Sequence, residues 1–434
     1  MIRFINHASF MVETRGVRLL CDPWVAGSAF HNGWNLLKEV PHEGLDQVDF
    51  IWFSHEHPDH FSVPFLRSIP LERRGAITVL YQRTPDRRIL SYCESLGYNT
   101  RELVHAQRVT LTDGLSITCG QIPFYDSWLL IETPDHRILN TNDCIVERPS
   151  QLSAIRKHVP NCDILFTQFS YANWQDSRDN REALRLLARE KLRRVAAQCE
   201  AFSPDFVVPF ASFAYFSHVE NAYMNADVNR PSAAVRFIEA NCKARPVLLI
   251  PNEEWDGLTP HDNRPAMDWW ERAYFEAMSR EKNAAGRSIP FVELCVKANT
   301  AMNRVKARNN FALVTGLQRL GLISRVDFRL IDTDETVSFD WINGLSFVKD
   351  ARFRTIDMHS ETLAFILDND FGVDTVNVNA RFECSVKDKK RLIGLFSVLE
   401  LNNTGRSIKF SDGLKFVDSA LIEQGLHTIG VLRR

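Results

Sequence analysis

The densest chemistry in this chain lies in Ser54-His55-Glu56-His57-Pro58-Asp59-His60, where three imidazoles and an aspartate fall within six residues. Imidazole nitrogen and carboxylate oxygen are donors that first-row metal ions accept. Placed at alternate positions of a strand end and the turn after it, they can converge on one or two cations. The preceding Val48-Asp49-Phe50-Ile51-Trp52-Phe53 reads as a buried strand, so the cluster begins where a strand ends and a site can open.

Elements able to hold such a cluster are legible on both sides of it. Strand-like segments run over Arg3 to Phe4, Phe10 to Glu13, Val17 to Cys21, Phe50 to Phe53, Ile77 to Tyr81, Leu115 to Cys119, Trp128 to Glu132, Arg137 to Asn140, Ile164 to Gln168 and Phe206 to Pro209. Helical stretches lie between them, the clearest being Asn180 to Phe202, with Leu184, Leu187, Leu192, Val195 and Ala196 along one face. Many short strands with interspersed helices predict an α/β fold of two sheets packed face to face with helices outside, an αββα four-layer sandwich.

Composition shifts after Pro251-Asn252-Glu253-Glu254-Trp255. The reading divides the chain into a catalytic domain over 1–260, a helical connector over 261–313 that packs on it, and a small C-terminal α+β domain over 314–434. The connector is anchored by Trp269, Trp270, Tyr274 and Phe275. In the C-terminal part Val326 to Ile331, Val337 to Trp341, Arg354 to Met358, Thr375 to Val378 and Ala380 to Cys384 read as strands. Ser360 could cap a helix that turns Leu363, Ile366 and Leu367 inward. The alternation in Phe371 to Asn379 suits a sheet with one solvated face. This domain could complete the active-site mouth, mediate homo-oligomer formation or bind an apolar molecule.

The 434 residues carry a net charge of −2, which gives no support for a nucleic-acid partner or an acidic membrane surface. No stretch approaches the roughly 18 apolar residues of a membrane helix, and Met1 to His7 lacks a signal-peptide core, so a cytoplasmic location is expected. Nine cysteines are scattered singly. They form no disulfide framework, no C-x-x-C pair and no Cys-x-His with a partner Cys-x-x-His for a Rieske cluster.

The run His55-x-His57-x-Asp59-His60 resembles the signature of the metallo-β-lactamase superfamily. Asn6-His7-Ala8-Ser9-Phe10 and Leu20-Cys21-Asp22-Pro23-Trp24 look like that superfamily's opening hairpin. The resemblance implies a dinuclear site, with His55 and His57 on one metal, Asp59, His60 and His218 on the other, and Asp143 bridging them. Asp59 and Asp143 would be its catalytic residues. The family usually supplies a further histidine shortly before the strand leading to the bridging aspartate. Here that stretch is Gln121 to Trp128, where Asp126 is the only strong ligand. Asp126 is either a substitute ligand or a turn residue. As a ligand it would harden the site and favour iron or manganese over zinc.

A narrower resemblance, to the metallo-β-lactamase part of the CMP-N-acetylneuraminate hydroxylase family, rests on Asp22 to Phe30 with Gly33-Trp34, Asp126-Ser127, Asn142-Asp143-Cys144, Gln168-Phe169-Ser170 and, most specifically, Val208 to His218 with Glu220-Asn221 and Tyr223-Met224-Asn225. It implies two divalent metal ions, iron favoured, in an oxygenase acting on a small substrate such as an anionic sugar or nucleotide sugar. Members of that family carry a Rieske domain whose ligands this chain lacks, so electrons would come from an external donor. With zinc or manganese instead, the same site would activate a water for ester, lactone or phosphodiester hydrolysis. His7, Asp22, Glu220 and Asn221 are expected to support the metal residues or meet substrate. His31, His42, His105, His136, His158, His261, His359 and His427 read as surface or structural.

Overall fold

A computed structural model describes residues 1–41, 44–122, 126–144, 146, 148–348 and 355–409. His42 and His427 lie outside the described residues. The chain divides into two compact units. The first comprises Met1–Ala172, Arg185–Tyr215 and Asp227–Glu281; the second comprises Asn173–Leu184, Phe216–Ala226 and the chain from Lys282 onward.

Two seven-stranded sheets build the first unit. In one, Ile2–Asn6, Ser9–Thr14 and Val17–Cys21 form an antiparallel meander, and Phe50–Trp52, Thr78–Gln82 and Asn99–Leu103 then add in parallel. The other repeats this plan. Arg108–Thr112, Leu115–Ile122, Asp126–Glu132 and Arg137–Asn140 are antiparallel neighbours, and Ile164–Gln168 and Phe206–Phe210 continue in parallel. Parallel neighbours need crossover connections, which here carry helices such as Val63–Ser68, Arg88–Ser95 and Pro149–Arg156.

Strand alternation decides which layer each side chain enters. Phe10, Leu19, Trp52 and Leu80 join the core between the sheets. Their neighbours Met11, Leu20, Ile51 and Val79 enter a separate core with Phe65, Leu66, Leu90 and Cys93 of the covering helices. Between the sheets, Phe10 stacks on Phe166 at 4.2 Å and meets Phe210 edge-on at 5.5 Å. Helix, sheet, sheet and helix are thus the four layers read from the sequence, and the strand segments read there are strands here; Asn99–Leu103 and Arg108–Thr112, whose polar residues hide the pattern, were not among them.

Two helices, Asn263–Ser279 and Phe291–Arg308, occupy the stretch expected to be helical. Trp270 and Tyr274 are buried as anchors, but Phe275 is 77% exposed and anchors nothing among the described residues.

The second unit holds a four-stranded sheet in the order Gly344–Phe347, Glu335–Asp340, Val326–Leu330, Ile356–Met358. Two strand expectations fail here. Thr375 to Val378 lie inside the helix Gly372–Asn379, and Ala380 to Cys384 contribute only the isolated bridge Asp357↔Glu383. The alternation in 371–379 also places Val373 and Val376 three residues apart on one helical face, and packing against neighbouring helices overrides the β preference of its valines. Capping shifts by one residue: His359, through Nδ1, accepts the N–H of Glu361, and Ser360 is already helical.

Gly372 lets this short helix approach its neighbour. A Cβ there would stand 2.6 Å from Cα of Ile366. Helix propensity alone would make Gly372→Ala stabilising by about 1 kcal/mol. Overpacking against backbone is the larger effect, and a net loss of about 1–3 kcal/mol is expected in chemical denaturation. In the same unit burial, then the Asp374 carboxylate, push Glu400 up to about 8. The folded state therefore holds this proton more tightly than the unfolded chain does, and stability falls as pH rises from about 4.5 to 8. Melting curves of Glu400→Gln should be flatter across that window, with its gain over wild type present at the alkaline end and absent at the acidic end.

Candidate metal centre

The cluster forms where strands of both sheets end. After Trp52 the chain leaves its strand, and the Ser54 N–H donates to Oδ1 of Asp22, the residue following the neighbouring strand, at 2.8 Å. The other oxygen of Asp22 accepts from His60 Nδ1 at 2.9 Å. Ser54 Oγ lies 2.9 Å from His55 Nδ1 and 3.1 Å from His60 Nδ1. The Ser54 carbonyl accepts the Ser127 hydroxyl at 2.6 Å and the Gln82 amide at 3.1 Å. Ser127 belongs to the second sheet, so this bond ties the two halves together directly beneath the imidazoles.

From the second sheet, Asn142 aims the next carboxylate. Its side chain donates to the Ser127 carbonyl at 2.9 Å and accepts the Asp143 N–H at 2.7 Å. Asp126 opens the strand beside it and lies 3.6 Å from His55 Nδ1, and Cys144 Sγ donates to it at 3.4 Å.

Two groups of donors result, each with its atoms within 4.8 Å of one another: His7, Asp59 and His60, and His55, His57 and Asp143. His7 Nε2 is 3.3 Å from Asp59 Oδ2, and His60 Nε2 is 3.5 Å from both Asp59 Oδ2 and Asp143 Oδ1. Asp143 thus faces both groups, since its Oδ1 is also 3.9 Å from His55 Nδ1. His7, expected only to support the metal residues or meet substrate, is brought by the structure among the donors of the first group. Ser54, Ser127 and Asn142 fall within the motifs read from the sequence but had no role assigned there, because a hydroxyl or amide that orients a donor leaves no spacing signal.

His218, Glu220 and Asn221 belong to the second unit. There His218 is buried, its N–H donates to Asn221 Oδ1 at 2.9 Å, and its Nδ1 lies 3.1 Å from Glu220 Oε2. Glu220 also pairs with the buried Arg381 at 2.8 Å. Of the other histidines, His136 bonds the Asp256 carbonyl at 2.8 Å and His261 pairs with Glu253 at 2.8 Å, both structural roles.

Electrostatics in the first unit's cluster are those of charges held out of water. Burial drives His55 down to about 3. Burial also opposes the charge on His60, but Asp143, Asp59 and Asp22 outweigh it and hold the imidazolium well above its ordinary range. Against burial, His60 and His7 keep Asp59 low, and His60 and His55 keep Asp143 well below the carboxylate range. Burial, then Asp143, push Asp126 up to about 7. Several buried atoms have no hydrogen-bond partner among the described residues: His7 Nδ1, Asp59 Oδ1, His60 Nε2 and Asp143 Oδ1. An unsatisfied buried polar group costs about 1–3 kcal/mol, and two of these atoms, His60 Nε2 and Asp143 Oδ1, lie only 3.5 Å apart within the donor groups, so the arrangement fits cations placed among them.

Strain collects here as well. His7, Asp22 and Asn142 are buried non-glycine residues in the left-handed region, at φ of 36°, 40° and 37°. Each such residue costs on the order of 1–3 kcal/mol and persists only where its surroundings fix it.

With this geometry in view, residues 1–122 match the β-lactamase superfamily domain. The chain has the metallo-β-lactamase fold. It is similar to the cytidine monophosphate-N-acetylneuraminic acid hydroxylase of Danio rerio, at 26% identity over 270 residues covering 56% of this chain and 43% of that protein. The Cricetulus griseus enzyme of the same name is 25% identical over 262 residues, covering 56% and 45%. The chain therefore spans less than half the length of these curated relatives. Among solved structures it is similar to CmlA, a diiron β-hydroxylase from Streptomyces venezuelae, with 16% identity, a TM-score of 0.40 and coverage of 57% and 52%. Isothiocyanate hydrolase from Delia radicum gut bacteria also matches, with 16% identity, a TM-score of 0.41 and coverage of 58% and 97%. Likenesses that distant carry no chemistry across. The superfamily domain, the hydroxylase relatives and the donor clusters together support metal-dependent catalysis.

Asp22→Asn tests how the centre is held. The amide oxygen could still accept the Ser54 N–H, but its NH2 would face His60 Nδ1 and move the ring proton to Nε2, where a metal needs a lone pair. Metal affinity should fall by about 10- to 100-fold with the fold retained, as read by competition with a chromophoric chelator.

Proposed function

We propose that this protein is a diiron oxygenase that hydroxylates a small anionic substrate, a sugar or nucleotide sugar, with electrons supplied from outside the chain. The observation that carries the reading is the donor set. Asp126 stands beside His55 where an imidazole would give an ordinary zinc site, and with Asp59 and Asp143 it makes the cluster rich in hard oxygen donors. Within the first unit, His55, His57, Asp143 and Asp126 would hold one ion and His7, Asp59 and His60 the other, with Asp143 facing both. Bound there, iron would supply the redox chemistry with O2 that a C–H hydroxylation demands.

The chain's own residues do the positioning. Asp22 holds His60 by Nδ1 and leaves Nε2 directed at Asp59 and Asp143. Asn142 fixes the Asp143 backbone, and Ser127 locks the loop carrying His55 to the second sheet. Substrate class and electron donor follow the hydroxylase relatives, and because this sequence carries no Rieske ligand pairs the donor is taken as external to these residues.

Isotope labelling decides between oxygenase and hydrolase chemistry. Iron-loaded protein, supplied with a reductase system and a CMP-sialic acid or related nucleotide sugar under ¹⁸O2, should yield a hydroxylated product carrying the label. Turnover that incorporates oxygen only from water would overturn the oxygenase reading in favour of hydrolysis. His57→Ala and Asp143→Ala should each abolish turnover and lower metal content, and undiminished metal binding in both would refute the ligand assignment.

A further inference from the structure

The hairpin that follows Asp22 contains a backbone outlier. Ser28–Ala29 and Trp34–Leu36 pair in antiparallel register, Ala29 opposite Trp34, leaving Phe30 to Gly33 as the connection. The Gly33 N–H closes onto the Phe30 carbonyl at 3.0 Å. His31 and Asn32 are the central residues of this turn and have φ of 53° and 58°, as a hairpin turn of the primed type requires. Phe30 precedes them and also has a positive φ, 51°. The turn does not require this. A bulky side chain in that conformation is a genuine outlier, and glycine would adopt it without cost.

What the strained residue gains is the placement of its ring. Phe30 is only 2% exposed, and its ring meets the His57 imidazole at 5.4 Å and 76°, and Trp34 at 5.0 Å and 67°. Trp34 and Trp24 in turn flank His7 edge-on at 6.4 and 5.3 Å. One short segment therefore sets aromatic rings in T-shaped contact with an imidazole from each donor group. His57 is the half-buried histidine of its cluster, whereas His55 and His60 lie at 5% and 0% exposure. A ring packed against this imidazole can therefore fix its orientation where burial is incomplete.

We propose that Phe30 is a positioning residue for His57, and that its left-handed backbone persists because it directs the ring onto that imidazole. This rests on the reading of His57 as a metal ligand. The test is anaerobic titration of the full chain with Co²⁺ alone, following affinity and the visible absorption band. Phe30→Gly suits the backbone conformation and removes the benzyl side chain. It should weaken one binding event about tenfold or more and shift its band, and Phe30→Tyr should restore both. If Phe30→Gly does not fold, Phe30→Leu, which keeps apolar volume without a ring, should show the same selective loss. Wild-type affinity and an unshifted band in the glycine or leucine variant, with only a lower Tm, would overturn the inference and leave the proposed function standing. A wild-type chain that takes up no Co²⁺ would overturn both.

Discussion

The whole centre depends on one fully buried carboxylate. Asp22 reaches across from the end of one strand, accepts the Ser54 N–H with one oxygen and orients His60 with the other. Burial alone would drive it towards its neutral form, and His60 and Ser54 oppose that drive. Asp22 sits at a φ of 40°, a conformation that aspartate tolerates better than most residues but still adopts at a cost. The loop from His55 to His60 inherits its path from this junction.

Strain and unsatisfied polarity both gather around that junction. His7, Asp22, Phe30 and Asn142 all carry left-handed backbone, and His60, Asp59 and Asp143 keep buried atoms without partners among the described residues. A core of stacked phenylalanines between two sheets can carry such a concentration of unfavourable terms, because neither sheet can relax without opening the layer between them. Cations between the donors would turn the same atoms from a cost into the strongest local interaction.

Much of this was legible in the residue pattern. His55-x-His57-x-Asp59-His60 after an apolar strand marks both the site and the strand end, and the short apolar runs from Val17 to Cys21 or Ile164 to Gln168 appear as strands in the structure. Asp126 was visible as a carboxylate where an imidazole was expected, and its approach to His55 gives that substitution a geometry. Contacts that depend on tertiary folding left no trace. Nothing near Phe30 announces that its ring meets His57, and a hydroxyl such as Ser127 is indistinguishable from any other serine until two sheets meet. In the second unit the valines of Gly372–Asn379 favour a strand locally, and only the close helix approach permitted by Gly372 makes the helix the better solution.

Metal stoichiometry in protein purified without oxygen tests the central claim most directly. A dinuclear centre with hard oxygen donors predicts about two irons per chain, lost together when Asp143, which faces both donor groups, is replaced. Zinc alone filling the site in iron-replete cells, or a single ion whose binding survives loss of Asp143, would contradict it.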